Sequence, residues 1–131
     1  MMKKALIYFS IVFICCNWSY ADCISGDCVN GKGTFTSSNG TKFEGEFKNG
    51  KRDGKGTVTN PDGYRYVGDF KEGKRNGNGS LILPSGTRYV GEFKNNTFNG
   101  KGTYTHPRGD RYVGEFKNGK MNGKGILSEV S

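Results

Sequence analysis

"YVGEFKNGKMNGKG", Tyr112 to Gly125, is nearly the string "FEGEFKNGKRDGKG" found at Phe43 to Gly56. Written in lines of 23 residues, the chain stays in register, with lines opening at Phe43, Tyr66, Tyr89 and Tyr112. The half-line "NGKGTFTSSNGTK", Asn30 to Lys42, matches the second part of the same unit, which makes four and a half copies. Self-similarity at a fixed period of this size is the mark of a repeat architecture, in which each unit buries its apolar side only by stacking on its neighbours. The units are therefore taken as 30–42, 43–65, 66–88, 89–111 and 112–131, after a short start at 22–29.

Within a line, Tyr112-Val113-Gly114-Glu115-Phe116-Lys117 alternates with period two, the pattern of a strand with two unlike faces. Asn118-Gly119 and Asn122-Gly123 follow, dipeptides suited to positive φ, and together they read as a loop. A second strand is clearest in Gly102-Thr103-Tyr104-Thr105, and turns such as Asn60-Pro61-Asp62-Gly63 lead to the next line. The expected fold is all-β: an elongated, single-layer antiparallel meander of stacked hairpins with no conventional core. The 22 glycines fit that expectation, because so high a content excludes an ordinary packed interior while its strict period excludes disorder.

Parity sorts the side chains. Tyr89, Gly91 and Phe93 share one face of their strand, and Val90 and Glu92 take the other. A hairpin register that sets Phe93 against Gly102 also sets Gly91 against Tyr104, so each ring would lie across a glycine. On the opposite face the acids Glu46, Asp69, Glu92 and Glu115 recur, one per line. They are expected beside Lys32, Lys55, Asn78 and Lys101 of the preceding strand, three of them as ion pairs. The strand from Lys124 to Ser128 is left as an edge.

These units resemble the MORN repeat (membrane occupation and recognition nexus). The resemblance rests on the openings at Phe43, Tyr66, Tyr89 and Tyr112 and on the Gly-x-Gly pairs Gly54/Gly56, Gly77/Gly79, Gly100/Gly102 and Gly123/Gly125. It implies a twisted, trough-like sheet without catalytic activity, used for protein binding, self-association or contact with acidic phospholipid. Two lines depart from the pattern, at Leu81 to Leu83 and at Asn96 to Phe98, and partner specificity is expected there.

Residues 1–21 carry a different pattern: Lys3 and Lys4, an apolar run from Ala5 to Cys16, then Ser19-Tyr20-Ala21. This reads as a bacterial export signal cleaved after Ala21, too short in its apolar run for a membrane-spanning helix. The product would be periplasmic or extracellular; the alternative is a lipoprotein anchored through Cys16. Removing Lys3 and Lys4 takes the formal charge from +8 to +6. In an oxidising compartment Cys23 and Cys28 are expected to form a disulfide that caps the start of the array, contributing roughly 2 kcal/mol through its short loop. Asn39, Asn78 and Asn95 fit glycosylation sequons, which matter only in a eukaryotic secretory route.

Two candidate surfaces follow. Phe47, Tyr66, Phe70, Tyr89, Phe93, Tyr104, Tyr112 and Phe116 form an aromatic row expected to stay partly open, because one layer cannot cover both faces, and to hold a protein partner. Lys48, Lys51, Arg52, Lys71, Lys74, Arg75, Lys117 and Lys120 gather at the "FKNGKxNGK" loops along one edge, a candidate site for anionic phospholipid or a solubilising rim. Lys42, Arg65, Arg88 and Arg111 fall at the other edge. No catalytic, cofactor or metal site is expected: the one histidine, His106, sits beside Pro107 without a ligand partner, and repetition argues against a unique centre. Nucleic acid is disfavoured for an exported chain.

Overall fold

A computed structural model describes residues 21–131. The apolar stretch before Ala21, with Cys15 and Cys16, lies outside the described residues. Ten strands run in chain order: β1 (Ala21–Gly26), β2 (Gly31–Ser37), β3 (Lys42–Lys48), β4 (Lys51–Thr59), β5 (Arg65–Lys71), β6 (Lys74–Ile82), β7 (Arg88–Lys94), β8 (Thr97–Thr105), β9 (Arg111–Lys117) and β10 (Lys120–Ser128). Each pairs antiparallel with the next, giving one open ten-stranded meander. At about 4.8 Å between strands the sheet is roughly 45 Å across. The described residues hold no helix.

The hairpins close tightly. Asn49-Gly50, Glu72-Gly73, Asn95-Asn96 and Asn118-Gly119 all have positive φ at both residues, as two-residue turns with the hand of the strand twist require. The Asn122-Gly123 pair, expected in the loop, instead lies inside β10. Each turn also ties back one unit: Gly73 N donates to Arg52 O at 2.8 Å, Asn96 N to Arg75 O at 3.0 Å and Gly119 N to Phe98 O at 3.0 Å.

The register inside the hairpins differs from expectation. Gly91 faces Gly102, Tyr89 faces Tyr104 and Phe93 faces Phe98. The two-residue turn forces this, and the length difference between β7 and β8 is absorbed in a bulge between Gly91 and Phe93. In β4 the bulge sets Asp53, Gly54 and Lys55 against Glu46, with φ of +103° at Gly54, a conformation that favours glycine. Phenylalanine does meet glycine, but across the boundary between hairpins, as Gly77 to Phe93 and Gly100 to Phe116.

The acid column stands where parity puts it: Glu46 faces Lys32, Asp69 faces Lys55, Glu92 faces Asn78 and Glu115 faces Lys101. Among the described residues only Lys55–Asp69 of these closes as an ion pair, at 2.8 Å. Three of the four carboxylates, Asp69 included, have a further use. Glu46 Oε2 accepts the Lys55 backbone N–H at 2.7 Å, Asp69 Oδ2 that of Asn78 at 3.1 Å and Glu92 Oε2 that of Lys101 at 2.6 Å. The bulge leaves these N–H groups out of the ladder, and the acid supplies the missing acceptor.

Cys23 and Cys28 are disulfide-bonded at the first edge. At the other end every residue of β10 is exposed. Val130 N donates to Asp110 Oδ1 at 2.9 Å, and the Val130 side chain lies beside Gly109 as Pro61, Pro84 and Pro107 lie beside Gly40, Gly63 and Gly86. Residue 130 therefore continues the 23-residue register in the place of a proline.

Candidate binding face

The aromatic row is closed along most of its length and open only towards its ends. Phe47, Tyr66, Phe70, Tyr89, Phe93, Tyr112 and Phe116 are buried, and of the eight expected residues only Tyr104 is half-buried. Ring contacts explain how one layer achieves this. Tyr66 meets Phe70 of its own strand edge-on at 5.0 Å and Phe93 of the next unit at 5.1 Å; Tyr89 meets Phe93 at 5.1 Å and Phe116 at 5.1 Å. Phe43, absent from the expected row, opens the same zigzag against Phe47 and Phe70. These edge-to-face contacts have the favoured geometry for aromatic pairs.

Glycine lets the rings lie down. A Cβ on Gly102 would stand 2.4 Å from the Tyr89 hydroxyl oxygen, so the flat ring covers the Gly91–Gly102 pair and nothing larger fits beneath it. The phenol then reaches backbone: Tyr66 donates to Asp69 O at 2.9 Å and Tyr89 to Glu92 O at 2.8 Å. Burial, the leading cause, pushes both phenols up to about 12.

A second row runs through positions 52, 75, 98 and 121, and its first three members lie on top of the rings. The Arg52 guanidinium sits 5.1 Å from the Phe70 ring and 5.8 Å from Phe43, and Arg75 sits 5.4 Å from Phe93 and 5.8 Å from Tyr66. Both arginines therefore leave the expected cationic edge. Their position follows from the tight turn, which makes them strand residues opposite Phe47 and Phe70. Phe98 takes the same place one unit on, stacked on Tyr89 at 3.8 Å and touching Phe116 at 5.7 Å. Met121, the last of the row, is exposed. The departure at Asn96 to Phe98 is thus a ring in an arginine's place, while Leu81 is core and Leu83 packs at its border.

Two hollows open on this face. One, of about 380 Å³, is lined by Cys28, Phe35, Thr41, Phe43, Phe47 and Arg52 among others. The other, of about 330 Å³, is lined by Phe98, Tyr104, Phe116, Gly119, Lys120 and Met121. Phe35, Phe47, Gly50, Lys51 and Arg52 stand three cassettes before Tyr104, Phe116, Gly119, Lys120 and Met121, so the two are one place in the repeat, roughly 29 Å apart at six strand spacings. A larger hollow of about 640 Å³, on the acid face between Lys101, Val113 and Lys124, is a shallow depression. Val67, Val90 and Val113 are exposed on that face.

The remaining cations do gather at the hairpin tips. Lys48 faces Lys51, Lys71 faces Lys74 and Lys117 faces Lys120 directly across the turns, all exposed. At the fourth tip Lys94 faces Thr97. Like charges directly opposite cost a fraction of a kcal/mol each. At the far edge Lys42 pairs with Glu44 at 2.9 Å, and Arg108 pairs with Asp110 within one turn. His106 is exposed, with Nδ1 accepting the Arg108 N–H at 3.2 Å.

Compared with known families, residues 30–42, 43–63, 66–88, 89–111 and 112–128 each match the family described as MORN repeat. The matches open at the four positions that open the cassettes and take in the half-unit before them. No curated protein matches the chain.

Proposed function

The chain belongs to the MORN-repeat family, and from that premise we propose that it is a noncatalytic scaffold that seats a partner polypeptide along its aromatic face. MORN repeats are generally binding and scaffold modules. The observation that carries the finer reading is the pair of hollows at Phe35/Phe47 and Tyr104/Phe116, one place in the repeat left open at both ends of a face that is otherwise sealed. A rigid sheet that holds two apolar hollows at a fixed spacing favours an extended chain with two anchoring side chains. We place this protein outside the cytoplasm, after removal of residues 1–21, a setting in which the Cys23–Cys28 disulfide persists.

Site-specific photocrosslinking tests the face. A photoreactive phenylalanine at Tyr104 is expected to capture a discrete partner in the native envelope or medium, and the same group at Val90 on the acid face is not. Equal capture from Val90 and Tyr104 rejects the assignment. A second reading rests on the lysine pairs at three hairpin tips, which have no ion-pair partner among the described residues. These would bind anionic lipid headgroups. Sedimentation with acidic against neutral vesicles at low and high salt separates the two readings, since binding that ignores acidic lipid removes the second.

A further inference from the structure

Arg52 and Arg75 occupy one place in successive repeats yet end in different surroundings. Arg75 is tied down at all three nitrogens: Nε donates to Asn96 Oδ1 at 3.3 Å, Nη2 to Asn96 O at 2.7 Å and Nη1 to the Tyr64 hydroxyl at 3.2 Å. Arg52 makes one side-chain hydrogen bond among the described residues, from Nη2 to Gly73 O at 2.9 Å. None of the ion pairs there includes it. Its guanidinium is nonetheless half-buried and lines the 380 Å³ hollow. A half-buried fork with unused donors beside an apolar cavity is a position that asks for an acceptor.

The neighbouring repeat displays what fits there. Tyr64 stands 23 residues after Thr41, and the turns that hold them are alike: Asn60 N donates to Tyr64 O at 3.0 Å, and Ser37 N donates to Thr41 O at 2.9 Å. Tyr64 sends its ring against the core and its hydroxyl to Arg75. Thr41 is too short to do either, and the corresponding space is open and lined by Phe35, Phe43 and Phe47. The hollow's volume falls at the low end of the range of small-ligand pockets, about 300 to 1,000 Å³, and suits one aromatic side chain.

We propose that the hollow beside Arg52 is a slot for a tyrosine side chain of a partner polypeptide, its ring among Phe35, Phe43 and Phe47 and its phenol oxygen accepting from Arg52. This inference rests on the reading that the aromatic face seats a polypeptide, and it names the residue received at one end. The repeat itself supplies the template: where the chain carries its own tyrosine the slot is filled, and where it carries threonine the slot is left for another.

The probe is N-acetyltyrosinamide, added to the ¹⁵N-labelled protein while amide shifts are followed. Saturable shifts are expected at Gly50, Gly73 and Phe35, with affinity at least fivefold above N-acetylphenylalaninamide and N-acetylleucinamide. Thr41→Tyr plugs the slot as Tyr64 does and should weaken binding at least tenfold. Ser37→Leu, which copies Leu83 of the third unit, should weaken it as well and serves if Thr41→Tyr folds poorly. Arg52→Met copies Met121 and should erase the preference for tyrosine over phenylalanine while leaving a residual apolar affinity. A Gly-Gly-Tyr-Gly-Gly peptide should bind no more weakly than the amide, and its exclusion overturns a polypeptide source. Equal affinity for all three amides, or undiminished binding in both plugged variants, overturns the slot. Crosslinking through Tyr104 that survives while Gly50 and Gly73 stay unmoved leaves the binding face in place and removes only the tyrosine slot; loss of both results removes both.

Discussion

Tyr89 and Tyr112 begin nearly identical cassettes, yet one is sealed and the other stands at the rim. Tyr89 is 1% exposed and held between Phe93, Phe98 and Phe116; Tyr112 is 8% exposed and meets Phe116 alone. Glu92 accepts the Lys101 N–H in its bulge, whereas Glu115 has no such bond among the described residues and its carboxylate lies 3.3 Å from the Cβ position of Gly123. Same residues, different result: the cassette does not complete itself. The next unit's phenylalanine closes each tyrosine, so stability resides in the junction between repeats as much as in the repeat.

The strongest way to break that comparison is to remove the two rings. Tyr89→Ala deletes a ring packed on both sides and loses a backbone hydrogen bond, at a cost of about 3 to 5 kcal/mol. Tyr112→Ala leaves a partner on one side only and is expected to cost about half as much. Urea denaturation of both variants measures the difference; equal costs would mean that the junction adds nothing.

Next in size is the floor beneath the rings. Gly102→Ala places a methyl group 2.4 Å from the Tyr89 hydroxyl oxygen, where Phe98 and Phe116 prevent the ring from lifting, and overpacking of this kind costs about 1 to 3 kcal/mol. Gly125→Ala meets Tyr112 at 2.3 Å, equally close, but that ring lies at the rim, packed edge-on against Phe116 of its own strand, and is free to tilt. Its melting temperature is expected to fall less than that of Gly102→Ala.

Much of this was legible in the sequence, for physical reasons. Period-two alternation fixed which face each residue takes, and the 23-residue return placed Glu46 by Lys32 and Asp69 by Lys55, because those pairings cross junctions without bulges. Inside the hairpin the reading failed by two residues. Asn122-Gly123 looks like a turn, and only the closure of Asn118-Gly119 as a complete two-residue turn reveals it as bulge. The same error put Arg52 and Arg75 in a loop, when each stands on the aromatic face opposite a phenylalanine. The closure of the row was hidden for a different reason: strand parity says which rings share a face but not that alternate rings turn edge-on and seal one another. Thr41 against Tyr64 was visible as a substitution, yet it gained meaning only when Arg52 and Arg75 proved to share a place.

Alkaline pH sharpens the comparison without altering a side chain. Both central phenols are raised from an ordinary value of 10 to about 12, chiefly by burial. A group whose folded pKa is raised stabilises fully below its unfolded value and loses that contribution as pH rises through the folded value. The melting temperature should hold to about pH 9 and fall between pH 10 and 12. Replacing Tyr66 and Tyr89 together by phenylalanine should flatten that fall, at some cost in stability at neutral pH from the lost hydrogen bonds. A fall that persists unchanged in the double variant assigns it to other groups.

The smallest contrast lies in the acid column. Glu92→Ala strands the Lys101 N–H inside a bulge, so a loss of about 1 to 2 kcal/mol is expected, reduced by what water recovers at an exposed site. Glu115→Ala removes a carboxylate with no backbone partner among the described residues, and its cost should stay within about 0.5 kcal/mol. Raising the salt concentration then separates two roles that share one column. Asp69 holds an exposed ion pair with Lys55 as well as the Asn78 N–H, and screening weakens the first far more than the second. Most of the cost of Asp69→Ala should therefore survive in high salt if the column closes bulges, and should vanish if it exists to pair lysines.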